Sequence, residues 1–199
     1  MDFQPPLAIR WHGRGGQGVV TASRILATAA LNGGYYMQSL PDFGAERSGA
    51  PIAAHTRIDT EPPAERGPIE QPDVVIILDR SLIGQVDVTA GLKDRGAVLL
   101  NARNDDAGAQ GQLPLKPGQV LWTLDGSSIG TRLLGRNLPN IPVLGALVKA
   151  VPVLPLDAVA AAMKQVMSET FSEKVIEANL RALHEGFGAA RCTKELANA

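Results

Sequence analysis

The chain is predicted to be an α/β protein: a single doubly wound, mostly parallel sheet with helices on both faces and further helices toward the C-terminus. Three observations predict it. Strand-like and helix-like stretches alternate from residue 7 onward. Two runs, Val74-Val75-Ile76-Ile77-Leu78 and Ala97-Val98-Leu99-Leu100-Asn101, are apolar enough to be buried on both faces, as central parallel strands are. A glycine-rich turn, Gly13-Arg14-Gly15-Gly16-Gln17-Gly18, joins the first strand to the first helix.

The elements follow in order. Residues 7–12 read as a strand, bounded by Pro5-Pro6 and the glycines. Bulky apolar residues recur at helical spacing over 19–31, and Asn32-Gly33-Gly34 is a helix stop. Residues 35–40 form a second strand, completing a strand-helix-strand unit. A Gly- and Pro-rich loop over 41–51 leads to a third strand over 52–59, and a proline-rich connection leads to the apolar strand at 74–78. One or two short helices are expected within 81–93, then the strand over 97–101 and a polar surface excursion over 104–118. The last predicted strand is 119–125, with Ser127 as candidate N-cap for a helix over 128–134. Helices over 143–150, 156–167 and 172–190 complete the pattern.

The length of 199 residues favours one domain, 1–199, of which 152–199 forms a helical C-terminal portion. A hydrophobic fraction of 45% and a charged fraction of 20% fit a soluble globular chain, and no apolar run approaches a membrane span. The start, Met1-Asp2-Phe3-Gln4-Pro5-Pro6, lacks the basic region and apolar core of a signal peptide, so a cytoplasmic location is the expectation. A formal net charge of −1 provides no field for gathering nucleic acid or an anionic membrane surface. The single cysteine, Cys192, cannot hold an iron–sulfur cluster, and His12, His55 and His184 show no metal-ligand spacing.

Gly13-x-Gly15-x-x-Gly18 has the form of a dinucleotide fingerprint, and a strand and a helix flank it as that motif requires. Backbone N–H groups at such a helix start suit a phosphate or carboxylate, to which Arg14 and Gln17 can add a cation and an amide. The same spacing also arises wherever a strand turns sharply into a helix. A self-contained NAD site wants an acid at the end of the second strand, and Asp42, flanked by Pro41 and a glycine-rich loop, matches only in part. Glu46, Arg47 and Ser48 place an acid, a base and a hydroxyl in the loop after that strand. In a doubly wound sheet this loop should lie beside the glycine turn, where Arg47 could meet a phosphate; a surface Glu46–Arg47 pair is the other reading. Asp79 and Asp125 each end a strand, where they either face the crevice or cap the next turn. No nucleophile–base pattern supports hydrolase chemistry.

Two stretches, His12-Gly13-Arg14-Gly15-Gly16-Gln17-Gly18-Val19-Val20-Thr21-Ala22 and Gln38-Ser39-Leu40-Pro41-Asp42-Phe43-Gly44-Ala45-Glu46-Arg47-Ser48-Gly49-Ala50-Pro51, together resemble the gamma subunit or gamma-type domain of the 2-oxoacid:acceptor (pyruvate:ferredoxin type) oxidoreductases. Arg57-Ile58, Gln71-Pro72-Asp73, Asp79, Val86-Asp87-Val88-Thr89, Gly91-Leu92 and Asn140-Ile141-Pro142-Val143-Leu144-Gly145-Ala146 continue the resemblance in order.

The resemblance implies a cytoplasmic hetero-oligomer of anaerobic metabolism that oxidatively decarboxylates a 2-oxoacid and passes the acyl group to coenzyme A, with ferredoxin or NAD as acceptor. Thiamine diphosphate, magnesium and [4Fe–4S] clusters are then held by partner subunits, and this chain packs on the thiamine-binding ones and helps form the coenzyme A site. It further implies that Gly13, Arg14, Gly15, Gly16, Gln17 and Gly18 form the phosphate-side loop, and that Glu46, Arg47 and Ser48 turn toward the coenzyme or a neighbouring subunit. No residue that performs thiamine chemistry is implied on this chain. Two other readings compete: a stand-alone Rossmann-type NAD(P)-binding protein, and a purely architectural subunit.

Overall fold

The apolar runs become the middle of one seven-stranded sheet. The computed structural model describes residues 3–42, 49–103 and 106–195. In chain order the strands are β1 (Leu7–Arg14), β2 (Tyr36–Asp42), β3 (Pro51–Asp59), β4 (Val74–Ile77), β5 (Ala97–Asn101), β6 (Val120–Leu124) and β7 (Arg191–Glu195). The helices are α1 (Val19–Asn32), α2 (Ala107–Gly111), α3 (Gly126–Leu134), α4 (Asn140–Ala150), α5 (Leu156–Met167) and α6 (Glu173–Ala189). The sheet order is β2-β3-β1-β4-β5-β6-β7. Strands β1, β4, β5 and β6 pair in parallel, while β3 runs antiparallel between β1 and β2 and β7 runs antiparallel along β6. Five of the seven strands therefore point one way, and the α/β architecture is the expected one.

Alternation along the strands separates two cores. Leu7, Ile9 and Trp11 of β1, Ile76 of β4 and Leu99 of β5 face the large core, where they meet α1, α4, α5 and α6. Val75, Ile77, Val98, Leu100 and Leu121 face the other side under Leu82, Val88, Leu92 and Leu113. The two faces are covered unequally. The long helices share one face, and the opposite one is roofed by a 3-10 turn at Arg80–Leu82, irregular chain to residue 93, and the segment that follows α2. The short helices expected within 81–93 reduce to that turn; Val86, Val88 and Thr89 are β-branched, and Gly84 and Gly91 take positive φ.

Trp11 has no solvent exposure, and its indole N–H donates to the buried Thr56 hydroxyl at 3.1 Å. On the second face the buried Arg10 donates to the carbonyls of Ile69, Val88 and Ala90, fastening the irregular roof to β1. It also donates to His12 Nε2 at 3.1 Å. Burial first, then the charge of Arg10, pushes the His12 pKa down to about 4, so the ring is neutral and accepts.

Several boundaries differ from the sequence pattern for physical reasons. Strand β1 runs on through Gly13 and Arg14 because both pair with the start of β3. Pro41 lies inside β2, which tolerates it as an edge strand with one neighbour. Asp125, not Ser127, caps α3: its carboxylate accepts from Ser128 N at 2.9 Å, while Ser127 N is taken by Asn101 Oδ1 at 3.2 Å. Helix α4 begins at Asn140, earlier than residue 143, since a proline in the first turn removes no helical hydrogen bond. The 152–199 portion, expected to be helical, also contains β7.

Helices α4 and α6 cross closely enough that backbone meets backbone. A Cβ on Gly145 would lie 2.0 Å from the Leu183 carbonyl oxygen, and one on Gly186 would lie 2.0 Å from that of Pro142. This crossing gives the Asn140–Ala146 stretch its structural role. No helix among the described residues is long and apolar enough to cross a membrane.

Candidate functional site

The connections leaving β1, β4, β5 and β6 gather at the carboxyl edge of the parallel strands, where α/β sheets bind ligands. Helix α1 follows β1 onto one face, whereas the crossovers after β4 and β5 cover the other, so the opening lies between β1 and β4. The turn after β1 stands over it.

That turn is stapled on two sides. Toward β3, Gly15 N donates to Ala50 O at 3.0 Å and Gly49 N donates to Gly15 O at 3.2 Å. The neighbourhood expected for the 41–51 loop is therefore present at its far end, reached through β3. At the near end, β3 separates β2 from β1, so the turn leaving β2 starts two strand spacings from β1, roughly 10 Å. Asp42 ends that edge strand opposite Ala53. Glu46, Arg47 and Ser48 lie outside the described residues.

Toward β4 the staple is made of side chains. Gln17 Nε2 donates to Asp79 Oδ2 at 2.9 Å, and Gln17 Oε1 accepts from Arg14 N at 2.8 Å. Arg14 Nε lies 3.3 Å from Asp79 Oδ2, and its guanidinium also donates to Ser81 Oγ, Gln85 Oε1 and Gly49 O. Asp79 Oδ1 accepts from Ser81 N at 2.9 Å. Burial would raise the Asp79 pKa, but hydrogen bonds from Ser81 and Gln17 and the charge of Arg14 outweigh it and hold the carboxyl below its ordinary value. Both sequence readings of Asp79 hold at once: it caps the turn at residue 80 and faces the crevice.

The backbone of the turn supplies what the side chains do not. Gly18 sits at φ 75° directly before α1, and no side chain caps that helix. The first-turn N–H groups are oriented outward with the positive end of the helix dipole. Asn140 reaches over from α4 to donate to Gly18 O at 3.2 Å, and a Cβ on Gly18 would strike its amide at 2.3 Å. A Cβ on Gly16, at φ 93°, would meet nothing within 4 Å, so this peptide is the open tip of the turn. Residues 13–18 are thus brought together, with Gly13 and Gly15 paired to the β3 side, Arg14 and Gln17 turned inward as braces, and Gly16 left open at the tip.

Beside the turn lies a cleft of about 310 Å³, lined by Gln17, Asp79, Arg80, Arg103, Asp125 and Asn137 among others. Its floor is organised by Asn101 at the end of β5. That amide donates to Leu78 O at 2.8 Å and accepts from Gly126 N at 2.9 Å, tying β4 to the start of α3. The roles of Asn101 and Asn140 were not visible in the sequence, because each acts on chain far away in sequence, Asn101 on Leu78 and Gly126 and Asn140 on Gly18. Cys192 is exposed on β7, and among the described residues no three His, Cys, Asp or Glu side chains group as a metal site.

Comparison with known proteins supplies the family. The model of pyruvate ferredoxin/flavodoxin oxidoreductase matches residues 8–189. The chain is 46% identical over 181 residues to the pyruvate/ketoisovalerate oxidoreductases common subunit gamma of Thermococcus kodakarensis, covering 91% of this chain and 95% of that one. The crystal structure of pyruvate oxidoreductase subunit PORC from Thermotoga maritima superposes with a TM-score of 0.82 at 35% identity, covering 94% of this chain and 98% of that one. A 2-oxoglutarate:ferredoxin oxidoreductase from Magnetococcus marinus shares the fold, with a TM-score of 0.73 at 20% identity over 92% of this chain and 30% of that longer one. The chain therefore belongs to the pyruvate ferredoxin/flavodoxin oxidoreductase family, in which it is a gamma subunit of a 2-oxoacid:ferredoxin oxidoreductase.

Proposed function

We propose that this subunit packs on the thiamine-binding subunits of its complex and supplies, through residues 13–18, one wall of the site that receives coenzyme A. The observation that carries the proposal is the uncapped start of α1 behind an open glycine tip, stapled to Gly49 and Ala50. Backbone N–H groups at a helix start bind phosphate without a cationic side chain, which suits a turn whose one arginine is already engaged. Glu46, Arg47 and Ser48, which precede Gly49 in the chain, are assigned to the coenzyme or the subunit contact. The [4Fe–4S] clusters are assigned to partner subunits, since one cysteine cannot ligate a cluster, and thiamine diphosphate and magnesium are assigned there on the family resemblance alone. The T. kodakarensis relative is named for pyruvate and ketoisovalerate, and the M. marinus structure holds 2-oxoglutarate, coenzyme A and succinyl-CoA.

The test is Gly16→Asn in the complex reconstituted with its partner subunits. Asparagine tolerates positive φ better than most residues and the space beside Gly16 is open, so the variant is strained at this one residue but clashes with nothing, while the approach of a phosphate is blocked; gel filtration checks that the complex assembles. The KM for coenzyme A is expected to rise about tenfold in 2-oxoacid-dependent dye reduction, with kcat little changed. An unchanged KM in an assembled complex would leave the turn a purely architectural role. The NAD(P) reading is checked by calorimetric titration of the purified chain: β3 displaces the β2 end from the ribose position, and no stoichiometric binding is expected.

A further inference from the structure

The side-chain brace beneath the turn points beyond the wall itself. The Gln17 amide is held at both ends, its oxygen by Arg14 N at 2.8 Å and its nitrogen by Asp79 Oδ2 at 2.9 Å. Only one orientation satisfies both partners. A flipped amide would set its NH2 against the Arg14 N–H and its oxygen against the carboxylate. Asp79 is fixed in turn, because Ser81 N donates to its other oxygen at 2.9 Å. Gln17 N closes the turn by donating to Arg14 O at 3.1 Å. The conformation of the peptides from Arg14 to Gly18 is thereby referred, through one side chain, to a carboxylate at the carboxyl end of β4. Both the Asp79 and the Arg14 side chains are about four-fifths buried, at 21% and 23% exposure, so solvent screens this brace only in part.

We propose that Asp79 is a positioning residue for the coenzyme A wall, presetting the glycine turn through Gln17 so that the Gly16 tip and the N–H groups at the start of α1 are aimed before the coenzyme arrives. This rests on the reading of residues 13–18 as that wall. Asp79 touches no ligand in this role; it acts by removing the ordering that a loose turn would have to undergo on binding. Arg14 serves the same end, since its contacts to Gly49 and Ser81 hold the two flanking loops to the turn.

The decisive experiment exchanges the two braced groups in the reconstituted complex. Asp79→Asn, its oxygen kept by Ser81 N, puts an amide NH2 against the Gln17 NH2, and in the opposite orientation puts it against Ser81 N, so one contact of the brace is lost either way; Gln17→Glu puts a carboxylate against a carboxylate. The double variant Q17E/D79N restores both pairings of the position-17 side chain, which accepts from Arg14 N and from the amide NH2 now at position 79, and leaves the position-79 oxygen to accept from Ser81 N; the contact of Arg14 Nε with position 79 is the one it does not restore. Each single variant is expected to raise the KM for coenzyme A about tenfold, with kcat at saturating coenzyme falling less than about twofold, and the double to return within about twofold of wild type. Rates are read with pyruvate, coenzyme A and a viologen acceptor, and assembly by gel filtration. Single variants with raised KM that the exchange does not rescue overturn the proposal. So do single variants without effect while Gly16→Asn raises the KM, an outcome that leaves the coenzyme A wall standing. If D79N, Q17E and G16N are all without effect, the wall itself is refuted and the positioning role with it. Should a single variant fail to assemble, an assembled double with a wild-type KM supports the proposal and one with a raised KM overturns it.

Discussion

The α4–α6 crossing has a measurable cost of intrusion. A Cβ added at Gly145 or Gly186 would lie 2.0 Å from a backbone carbonyl oxygen of the facing helix, where ordinary contact begins at 3.4 Å. The obstacle is main chain, so no rotamer change relieves it, and the helices must part by roughly 1.4 Å at that point. A gap of only about 0.5–1 Å already forfeits about a quarter to a half of each dispersion contact it opens. Overpacking of this kind costs about 3 kcal/mol, against about 1 kcal/mol gained from alanine's helix propensity, leaving a net loss of about 2 kcal/mol. For a chain of this size that corresponds to a fall in Tm of about 4–8 °C. Thermal unfolding followed by circular dichroism tests it on G145A, G186A and the double variant. G188A, on the same helix as Gly186 with nothing within 4 Å of its Cβ, is the control. The control should hold or gain stability, and the double should lose less than the sum of the singles, because the helices need part only once. Melting temperatures of G145A and G186A at or above that of G188A would refute the reasoning.

Three further outcomes follow from other parts of the fold. Thr56→Val strands the buried Trp11 indole N–H and should cost about 1–3 kcal/mol in urea unfolding followed by tryptophan fluorescence. Gly18→Ala combines an unfavourable positive φ with a clash on Asn140, so it should destabilise by about 2 kcal/mol, and adding Asn140→Ala should return only part of that. The folded His12 titrates at about 4 and the unfolded ring near 6.5, so the unfolded state binds the extra proton between these values. Its contribution is complete above pH 6.5 and is lost as pH falls toward 4, on the order of 3–4 kcal/mol at about 1.36 kcal/mol per pH unit between the two values, and His12→Gln should flatten that part of the stability-versus-pH curve.

Where a single physical signal dominated, the sequence was enough to read the element. The runs at 74–78 and 97–101 are strands because no other arrangement hides so many adjacent apolar side chains, and α5 falls on its periodic stretch at Leu156–Met167. The glycine turn and its successor were legible as motifs, though not as geometry. Nothing in a linear pattern says that β3 enters antiparallel between β1 and β2, since strand order depends on pairings among distant residues. The same holds for Arg14 and Gln17. Their polarity suggested a ligand, and their partners on Asp79, Ser81 and Gln85 show that they brace the turn. Strand β7 was missed because five mostly polar residues carry no alternation.

That last strand protects the assembly from itself. Strand β6, Val-Leu-Trp-Thr-Leu, is apolar, and unpaired it would present a row of free main-chain donors and acceptors to any passing strand. The chain covers it with β7, Arg-Cys-Thr-Lys-Glu, a mostly polar stretch that makes a poorer template than an apolar one. At the opposite margin Pro41 interrupts β2, where it can donate nothing. In a subunit that must find particular partners in a crowded complex, both open borders of the sheet are poor templates for indiscriminate strand addition. Loss of β7 would therefore show first as aggregation and only second as lost stability.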